Sequence, residues 1–327
     1  MPRYDEYDVE SYDRPRRRTR PRTKDRPAHA DAVEGRVVTV DRGRYTTLVD
    51  GRTVTAMKSR PLGRKGVVVG DGVRLVGDLS GEEGTLARIV EVAERRTVLR
   101  RTADDDDPVE RVIVANAEQL VVVASTTDPE PQPRLIDRAL VAAFDAGLDP
   151  LLCVTKADLA GPEALLSTYR PLEVPHVVTA RSRGLPELRE RLRGRVSVLL
   201  GSSGVGKSTL VNALVPGSAR ATGQVNAVTG RGRHTSTSVL MLALPGGGWI
   251  VDTPGIRSFG LAHVRPARLI GAFPDLDALT GECPRGCTHG AGEPECGLDE
   301  AVSDGRAEPD RVDSFRRLQA SREQGLD

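Results

Sequence analysis

The hydrophobic positions between residues 33 and 97 repeat at short intervals that are typical of β-strands. Runs rich in β-branched residues alternate there with turn residues, and they predict five strands. The predicted strands cover Gly35–Val40, Tyr45–Val49, Thr53–Met57, Val67–Val76 and Thr85–Val92. Asp50-Gly51 lies between two of them and is a strong hairpin signal. Five short strands in succession favour a small closed barrel, most simply an OB-fold, although an SH3-like barrel fits the same pattern.

From residue 111 onward, the hydrophobic pattern alternates between buried-strand runs and amphipathic helical runs. The predicted strands cover Gln119–Ser125, Asp149–Thr155, His176–Thr179, Val196–Leu200, Val239–Leu244 and Trp249–Asp252. The predicted helices cover Arg134–Ala146, Pro162–Tyr169, Leu185–Leu192 and Lys207–Leu214. This alternation predicts a mostly parallel sheet with helices on both faces. Residues 263–327 are more highly charged and predict a further helix over Asp310–Arg322.

Charged runs lie on both sides of the predicted barrel. Residues 1–32 contain few apolar side chains, and Arg14–Arg26 holds eight cations against one anion. Such a segment buries too little surface to offset its ordering entropy, so we expect a disordered basic tail. It is either a plain solvated tail or an arm that binds nucleic-acid phosphates. After the barrel, Arg100-Arg101, Asp104–Asp107 and Pro108 predict an exposed linker.

Composition and charge exclude several classes of protein. The 327 residues include 47 basic and 46 acidic side chains, which excludes a uniformly basic surface but not a locally basic one. An apolar fraction of 38% is enough to build cores from Val, Leu and Ala. The chain is neither collagen-like nor wholly disordered, since it has 34 Gly and 22 Pro. No apolar run approaches the ~20 residues that span a bilayer, and the N-terminus is polar, so we expect a cytoplasmic protein with no membrane partner.

Residues 201–208 match the P-loop pattern at every required position. An apolar strand is predicted directly before this run and a helix directly after it. The glycines let successive N–H groups surround a phosphate at the helix N-terminus, and the alternative is a glycine-rich turn without a ligand. Lys207 is expected to bridge the β- and γ-phosphates, and Ser208 to bind Mg²⁺. The predicted nucleotide-binding residues here are Gly201, Ser202, Ser203, Gly204, Val205, Gly206, Lys207, Ser208 and Thr209.

Three further segments indicate a guanine nucleotide. In Asp252-Thr253-Pro254-Gly255, Asp252 can hold Mg²⁺ through water, and the Gly255 N–H can contact the γ-phosphate. Thr155-Lys156-Ala157-Asp158 resembles the NKxD motif of GTPases, in which a carboxylate accepts the N1–H and N2–H of guanine. Thr179-Ala180 resembles the motif whose backbone N–H contacts guanine O6. Each segment lies at or just after the end of a predicted strand, where ligands of such sheets bind.

The order of these motifs is unusual for a GTPase. The P-loop normally comes first and the guanine motifs last, whereas Lys156 and Ala180 here precede Gly201. The same parts in rotated order resemble a circularly permuted GTPase. Permutation preserves a site because its function depends on residues that are neighbours in space rather than in sequence.

Cys283, Cys287, His289 and Cys296 form a cluster of candidate metal ligands. Three thiolates and one imidazole suit tetrahedral Zn²⁺, and four protein ligands leave no open position for a substrate. The spacing therefore predicts one structural zinc ion, and a chance cluster of free thiols is the alternative. Cys153 lies in an apolar run and is interpreted as a core residue.

The predicted barrel, the permuted motif order, the run Gly230–Thr237 and the Cys/His cluster occur together in one family. The chain resembles the ribosome small-subunit-dependent GTPases (RsgA, also called YjeQ) over roughly residues 33–322. This resemblance implies a multidomain fold with an OB-like barrel, a circularly permuted P-loop GTPase domain and a C-terminal zinc-binding helical domain. It also implies slow GTP hydrolysis stimulated by the small ribosomal subunit, and a role in late maturation of that subunit.

The resemblance also assigns domains and residues. It predicts a tail over 1–32, an RNA-binding OB-fold over 33–97, a GTPase domain over 98–262 and a zinc-binding domain over 263–327. Lys156, Asp158 and Ala180 would read the base, while Asp252 and Gly255 would sense the γ-phosphate. In the switch loop, His234 would position the attacking water, and the alternative is an exposed loop histidine. Thr235 would bind Mg²⁺, with Ser236 or Thr237 as alternatives.

Two residues depart from the usual GTPase pattern. Thr155 replaces the Asn that ties the base loop to the P-loop and approaches guanine N7, so we expect lower nucleotide affinity with guanine selectivity retained through Asp158. Ile256 stands where Ras-like enzymes place a water-orienting Gln, so catalysis must depend on another group.

The expected partners are GTP or GDP and the small ribosomal subunit with its RNA, bound by a monomer. Phosphate contacts are expected from Arg36, Arg42 and the tail, and from Arg220, Arg231 and Arg233 around His234. An alternative function is a zinc-containing RNA-binding protein that uses GTP as a regulatory ligand with negligible turnover. A P-loop ATPase or kinase is disfavoured by Asp158 and by the lack of a separate substrate-binding insert.

Overall fold

The structure is a computed structural model of the chain. It describes residues 29–63, 66–102, 109–181, 183–217, 239–253, 260–261, 263–264 and 266–323. Residues 1–28 of the predicted basic tail, the acidic run Asp104–Asp107 and the predicted switch loop lie outside these described residues.

Five N-terminal strands close into a barrel. They are β1 (Val33–Asp41), β2 (Arg44–Val49), β3 (Arg52–Lys58), β4 (Gly72–Gly77) and β5 (Ala87–Val92). Their order is β1-β2-β3-β5-β4, and β4 pairs back onto β1. Every pairing is antiparallel except β3 with β5. This arrangement confirms the predicted five-stranded OB-like barrel.

Side-chain alternation explains why these sequences close a barrel. Val37, Val54, Leu75 and Ile89 point inward and are nearly completely buried, because successive residues of a strand face opposite sides. The β2–β3 hairpin turns at Asp50-Gly51, where φ is 48° and 78°. Positive φ at both central residues matches the twist that a two-residue hairpin needs.

The central sheet contains six strands. They are β8 (Gln119–Ser125), β9 (Asp149–Thr155), β10 (His176–Val178), β11 (Val196–Leu200), β12 (Leu240–Ala243) and β13 (Trp249–Asp252). The order is β10-β9-β8-β11-β13-β12, with only β12 antiparallel. A separate hairpin pairs β6 (Val98–Arg101) with β7 (Arg111–Ala115). The sheet therefore has the mostly parallel architecture that the sequence predicts.

Helices cover both faces of this sheet. They are α1 (Pro133–Asp145), α2 (Glu163–Tyr169), α3 (Leu185–Leu192) and α4 (Lys207–Leu214), with a 3-10 turn at Arg170–Leu172. Another 3-10 turn, Arg60–Leu62, follows β3 of the barrel. All seven residues of β8 are buried. Val122 belongs to the core cluster that contains α1, whereas Val121 belongs to the cluster that contains α4. Burial on both faces explains the continuous apolar runs of the sequence.

The barrel and the central sheet are directly connected. Thr39 of β1 pairs with Leu240 of β12, so the two sheets form one array of eleven strands. Beside this pairing, Val69 bridges Val114 of the β6–β7 hairpin. A Cβ at Gly70 would lie 2.0 Å from the Ala115 carbonyl oxygen, and Gly70 has a φ of 90°. Only glycine fits this close approach.

The C-terminal region is helical and packs on α1. Its helices are α5 (Pro266–Ile270), α6 (Pro274–Asp277), α7 (Gly297–Ser303) and α8 (Pro309–Glu323). Arg138 of α1 is only 1% exposed and donates to the Ser321 carbonyl oxygen at 2.6 Å. Arg317 pairs with the Asp137 carboxylate at 3.1 Å. These buried polar contacts attach α8 to the central domain.

Two segments differ from the sequence prediction. Val67–Val76 was predicted as one strand, but the strand begins at Gly72 because Gly70 is left-handed and Asp71 accepts the Val68 N–H in a turn. Arg100-Arg101 was predicted as linker but lies in β6, where it pairs with the start of β7. Only α8 was predicted among the C-terminal helices. The predicted domain boundaries stay a prediction. Within the described residues, no helix combines the length and hydropathy required to cross a membrane.

Candidate functional site

The P-loop connects β11 to α4 and depends on three glycines. Gly204 and Gly206 have φ values of 85° and 93°, which side-chain-bearing residues rarely adopt. A Cβ at Gly201 would lie 2.5 Å from the Val123 carbonyl oxygen of the neighbouring strand. Helix α4 begins at Lys207, so Ser208 and Thr209 lie in its first turn. This is the strand–loop–helix geometry in which backbone N–H groups bind phosphate.

The predicted lysine and magnesium carboxylate meet beside this loop. Lys207 Nζ lies 3.0 Å from Asp252 Oδ1 and 3.1 Å from the Thr253 carbonyl oxygen. The Thr253 hydroxyl donates to the Leu199 carbonyl oxygen at 2.7 Å, which fixes this segment against β11. The structure therefore places a cation and an anion at the mouth of the P-loop. Gly255 and Ile256 lie outside the described residues.

Thr155 connects the predicted base loop to the P-loop. Its side chain is buried, and its hydroxyl donates to the Val205 carbonyl oxygen at 2.6 Å. The next residue, Lys156, has a φ of 58°, and its carbonyl oxygen accepts the Thr126 hydroxyl at 2.8 Å. The Lys156 ammonium contacts the Asp128 carbonyl oxygen. Thr155 thus reaches the P-loop despite its short side chain, and its expected effect on nucleotide affinity stays a prediction.

An open cavity of about 430 Å³ lies between the base loop and α4. Its lining includes Thr155, Lys156, Asp158, Ala180, Gly206 and Thr209. The volume falls in the range of small-molecule sites, which is about 300–1,000 Å³. Leu159, Arg181 and Leu185 also line the cavity, and the sequence did not single them out. Their nearness to the two base motifs was the available signal.

The Ala180 N–H, which is predicted to contact guanine, is hydrogen-bonded to another residue of the protein. The Ala180 N–H donates to the Arg183 carbonyl oxygen at 3.1 Å, and the Arg183 N–H donates back at 3.3 Å. Contact between the Ala180 N–H and a guanine oxygen therefore requires this small bridge to open. The Ala157 N–H, which donates to the Thr179 carbonyl oxygen at 3.2 Å, holds the two base motifs together.

Several predicted residues fall in the undescribed segments or away from the pocket. His234, Thr235, Ser236 and Thr237 lie outside the described residues, as do Arg220, Arg231 and Arg233. Arg36 is described and lies over the Trp249 ring, 5.9 Å from its centre. Arg42 is exposed at the end of the β1–β2 hairpin.

The four Cys/His ligands converge in the C-terminal region. Their ligand atoms all lie within 4.8 Å of one another. His289 Nδ1 lies 3.6 Å from Cys283 Sγ, 3.5 Å from Cys287 Sγ and 3.9 Å from Cys296 Sγ. Zinc–ligand bonds of about 2.0–2.3 Å at tetrahedral angles separate ligands by about 3.5–3.8 Å. The donor set therefore fits one tetrahedral ion, with Nδ1 as the nitrogen ligand.

Backbone groups prepare this cluster for thiolate ligands. The Gly297 N–H donates to Cys283 Sγ at 3.1 Å, and the His289 N–H donates to Cys287 Sγ at 3.4 Å. Desolvation raises the pKa of the Cys287 thiol to about 11. A metal must therefore displace protons, since the thiolate is the ligand. Cys153 lies in the buried core of β9, as predicted.

Comparison with known proteins identifies the family. The family model for the RsgA GTPase matches residues 92–262, just over half of the chain. The chain belongs to the RsgA GTPase family. A "small ribosomal subunit biogenesis GTPase RsgA" from Pseudomonas aeruginosa (strain LESB58) is 45% identical over 218 residues, 64% of this chain and 64% of that relative. The chain thus spans just under two thirds of the length of this curated relative.

Two solved structures resemble this RsgA-family chain over nearly its whole length. YjeQ from Thermotoga maritima has a TM-score of 0.64 and 27% identity, covering 89% of this chain and 98% of that chain. YloQ, described as a circularly permuted GTPase, has a TM-score of 0.64 and 25% identity, covering 91% and 98%. With the barrel, the parallel sheet and the Cys/His cluster, these matches confirm the predicted multidomain fold and the permuted motif order.

Proposed function

We propose that this RsgA-family protein is a GTPase that binds the small ribosomal subunit and assists its late maturation. GTP would be hydrolysed to GDP and phosphate, with stimulation by the subunit. The observation that carries this proposal is the hydrogen bond from the Thr155 hydroxyl to the Val205 carbonyl oxygen, which ties the base loop and its cavity, lined by Asp158, to the P-loop. Beside that P-loop, Lys207 meets Asp252. The curated relative is named a small ribosomal subunit biogenesis GTPase, which supports the choice of partner.

Different residues around the pocket would bind the phosphates, the magnesium ion and the base. The P-loop N–H groups and Lys207 would hold the β- and γ-phosphates, while Ser208 and Thr235 would bind Mg²⁺ directly. Asp252 would hold Mg²⁺ through water, which requires Lys207 to leave Asp252 and move to the phosphates. Gly255 would contact the γ-phosphate. Asp158 and Lys156 would read the base, with Ala180 completing the pocket once its bridge to Arg183 opens.

Catalysis would depend on His234. Ile256 offers no polar atom to orient water, so the histidine of the switch loop is the proposed water-positioning group. Contact of this loop with ribosomal RNA would place the imidazole beside the attacking water, which would account for stimulation by the subunit. Phosphate contacts from Arg36, Arg42, Arg220, Arg231 and Arg233 would support that binding.

The Cys/His cluster would hold one structural Zn²⁺. Four protein ligands leave no position open for substrate, so the ion would stabilise the C-terminal region without taking part in hydrolysis. The barrel would bind RNA, and the protein would act as a cytoplasmic monomer on the ribosomal subunit.

A second candidate is a GTP-regulated RNA-binding protein with negligible turnover. Ile256 favours it, because this residue cannot position water. Thr155 is also consistent with weaker nucleotide binding than Asn would give. The two candidates differ in turnover, since both would bind GTP and the ribosomal subunit.

The deciding experiment measures phosphate release from GTP and from ATP, with and without purified small ribosomal subunits. We expect strong stimulation for GTP only, and its loss in His234→Ala. His176→Ala is the matched control, because His176 is exposed on β10. Binding of GTP and of subunits without stimulated release would instead establish the regulated binding protein.

A further inference from the structure

Arg316 of α8 contacts the metal cluster from outside its four ligands. Its Nη1 and Nη2 lie 2.7 Å and 2.9 Å from the two Asp299 carboxylate oxygens, which is a bidentate pair. Its Nε donates to the His289 carbonyl oxygen at 3.2 Å, and Nη2 lies 3.9 Å from Cys296 Sγ. One planar guanidinium therefore contacts two ligand residues and α7 at once.

Charge gives these contacts a specific consequence. Three thiolates outweigh the charge of one divalent cation, so a metal-loaded Cys₃His cluster is anionic. A guanidinium beside Cys296 partly neutralises that charge, and it stays protonated throughout the physiological range. Partners of this kind orient ligands and raise metal affinity even though they do not touch the ion.

The burial of Arg316 and the contacts of its neighbours show that its position beside the ligands is fixed by the packing of α8. The side chain is only 14% exposed, whereas its partner Asp299 is 51% exposed. The neighbouring Arg317 pairs with Asp137 of α1 instead. On the same side of α8, the Gln319 amide donates to the Thr288 carbonyl oxygen, between two of the ligands. Helix α8 therefore holds the ligand loop through two side chains spaced three residues apart.

We infer that Arg316 is a positioning residue that retains the metal ion in the Cys₃His cluster, an inference that rests on the proposed zinc site. It fixes the His289 backbone and keeps Cys296 beside a cation, so that the thiolate is held in place for the ion. The residue acts through the ligands, and it does not bind the metal or the nucleotide.

The test measures zinc content and the rate of zinc transfer to the chelator pyridylazoresorcinol in the full-length protein. We expect Arg316→Met to speed zinc loss about tenfold to a hundredfold. Loss of Arg316 leaves Asp299 in contact with water rather than buried, so the variant is expected to fold. Arg306→Met is the matched control, since Arg306 and its partner Asp304 are both about half exposed, at 49% and 54%. We expect the control to lose zinc at the wild-type rate.

Arg316→Lys separates charge from geometry. Lysine keeps the positive charge but cannot bond Asp299 and His289 together, so we expect zinc loss at an intermediate rate. This variant also decides the question if Arg316→Met does not fold. The rate of Cys296 alkylation by iodoacetamide should rise in the order wild type, Arg316→Lys, Arg316→Met. The affinity for nucleotide should be the same in all three proteins.

The outcomes distinguish two failures. Wild-type protein that carries no zinc, even when refolded with it, would refute the zinc site itself. Zinc-loaded wild type with unchanged transfer rates in both Arg316 variants would overturn the role of Arg316 and leave the zinc site standing.

Discussion

The nucleotide pocket and the Cys/His cluster differ in how their polar groups are partnered within the protein. In the pocket, polar groups pair with one another: Lys207 with Asp252, and Ala180 with Arg183. In the cluster, the four ligand atoms lie within 4.8 Å of one another, and three of them are cysteine sulfurs. Thiols and a neutral imidazole are weak partners for each other. The polar groups of the pocket are therefore held by bonds within the protein, whereas the cluster would gain most of its stabilisation from the proposed metal.

Metal removal is the largest expected effect and would break the comparison most directly. Chelation should remove several kcal/mol of stability from the C-terminal region, because binding energy at such sites is folding energy. Hydrogen exchange should show lost protection in Gly297–Ser303 and retained protection in Gln119–Ser125. Equal loss in both segments would show that the two regions unfold together.

Lys207→Ala should lower kcat/KM for GTP by about a hundredfold or more, because removing one stabilising cation or donor has that effect at other sites. Fold and zinc content should stay unchanged, since the partners that Lys207 has among the described residues, Asp252 and the Thr253 carbonyl oxygen, both lie beside the P-loop. Steady-state hydrolysis with zinc analysis measures both. Lys58→Ala, on a barrel strand, is the control and should keep normal hydrolysis.

Thr155→Val should weaken GDP and GTP binding alike by about twofold to tenfold, the worth of one hydrogen bond. Guanine selectivity over adenine should be retained, because Asp158 is unchanged. Thr155→Ser keeps the hydroxyl and should bind more nearly as wild type. Competition titrations with labelled GDP measure both properties, and a lost base preference in Thr155→Val would contradict the assignment.

The smallest expected effect concerns His263, which lies in the chain between the pocket and the cluster. Its side chain is 4% exposed and faces Asp145 of α1 at 3.8 Å, with Arg268, Glu110 and Arg100 nearby. Burial lowers the pKa of His263, partly opposed by Asp145 and Glu110. The unfolded chain thus binds more protons at mildly acidic pH, so stability should fall as the pH drops through the usual histidine range.

The measurement is the thermal midpoint between pH 7.5 and pH 5.5. In His263→Gln, the fall in thermal midpoint from pH 7.5 to pH 5.5 should be smaller than in wild type by a few degrees. In His176→Gln, at an exposed position, the fall should equal that of wild type. Identical slopes in all three proteins would remove His263 as a source of pH dependence.

The sequence predicted what depends on near neighbours in the chain. The P-loop and the Cys/His spacing place their groups within a few residues, so their local geometry was available before any fold was known. The bridge between Ala180 and Arg183, which engages the predicted base-contacting N–H, depends on how one short loop closes. No spacing rule indicates that closure.

Contacts between distant residues could not be predicted in this way. Gly70 lies within the run predicted as one strand, and nothing in that run indicates the close approach of the Ala115 carbonyl oxygen. Arg316 and Cys296 are twenty positions apart in sequence, and the helix predicted over Asp310–Arg322 gives no indication that Arg316 contacts Cys296. The sequence pattern predicts Arg100-Arg101 as linker, because an acidic run separates it from β7, the strand with which it pairs.

The shared strand β1 also has a mechanical consequence. It is hydrogen-bonded to β2 and β4 in the barrel and to β12 in the central sheet, and Arg36 on the same strand rests on Trp249. The barrel cannot swing about a hinge here without breaking backbone hydrogen bonds. A surface that binds the barrel would therefore fix the angle and distance of the nucleotide pocket relative to that surface.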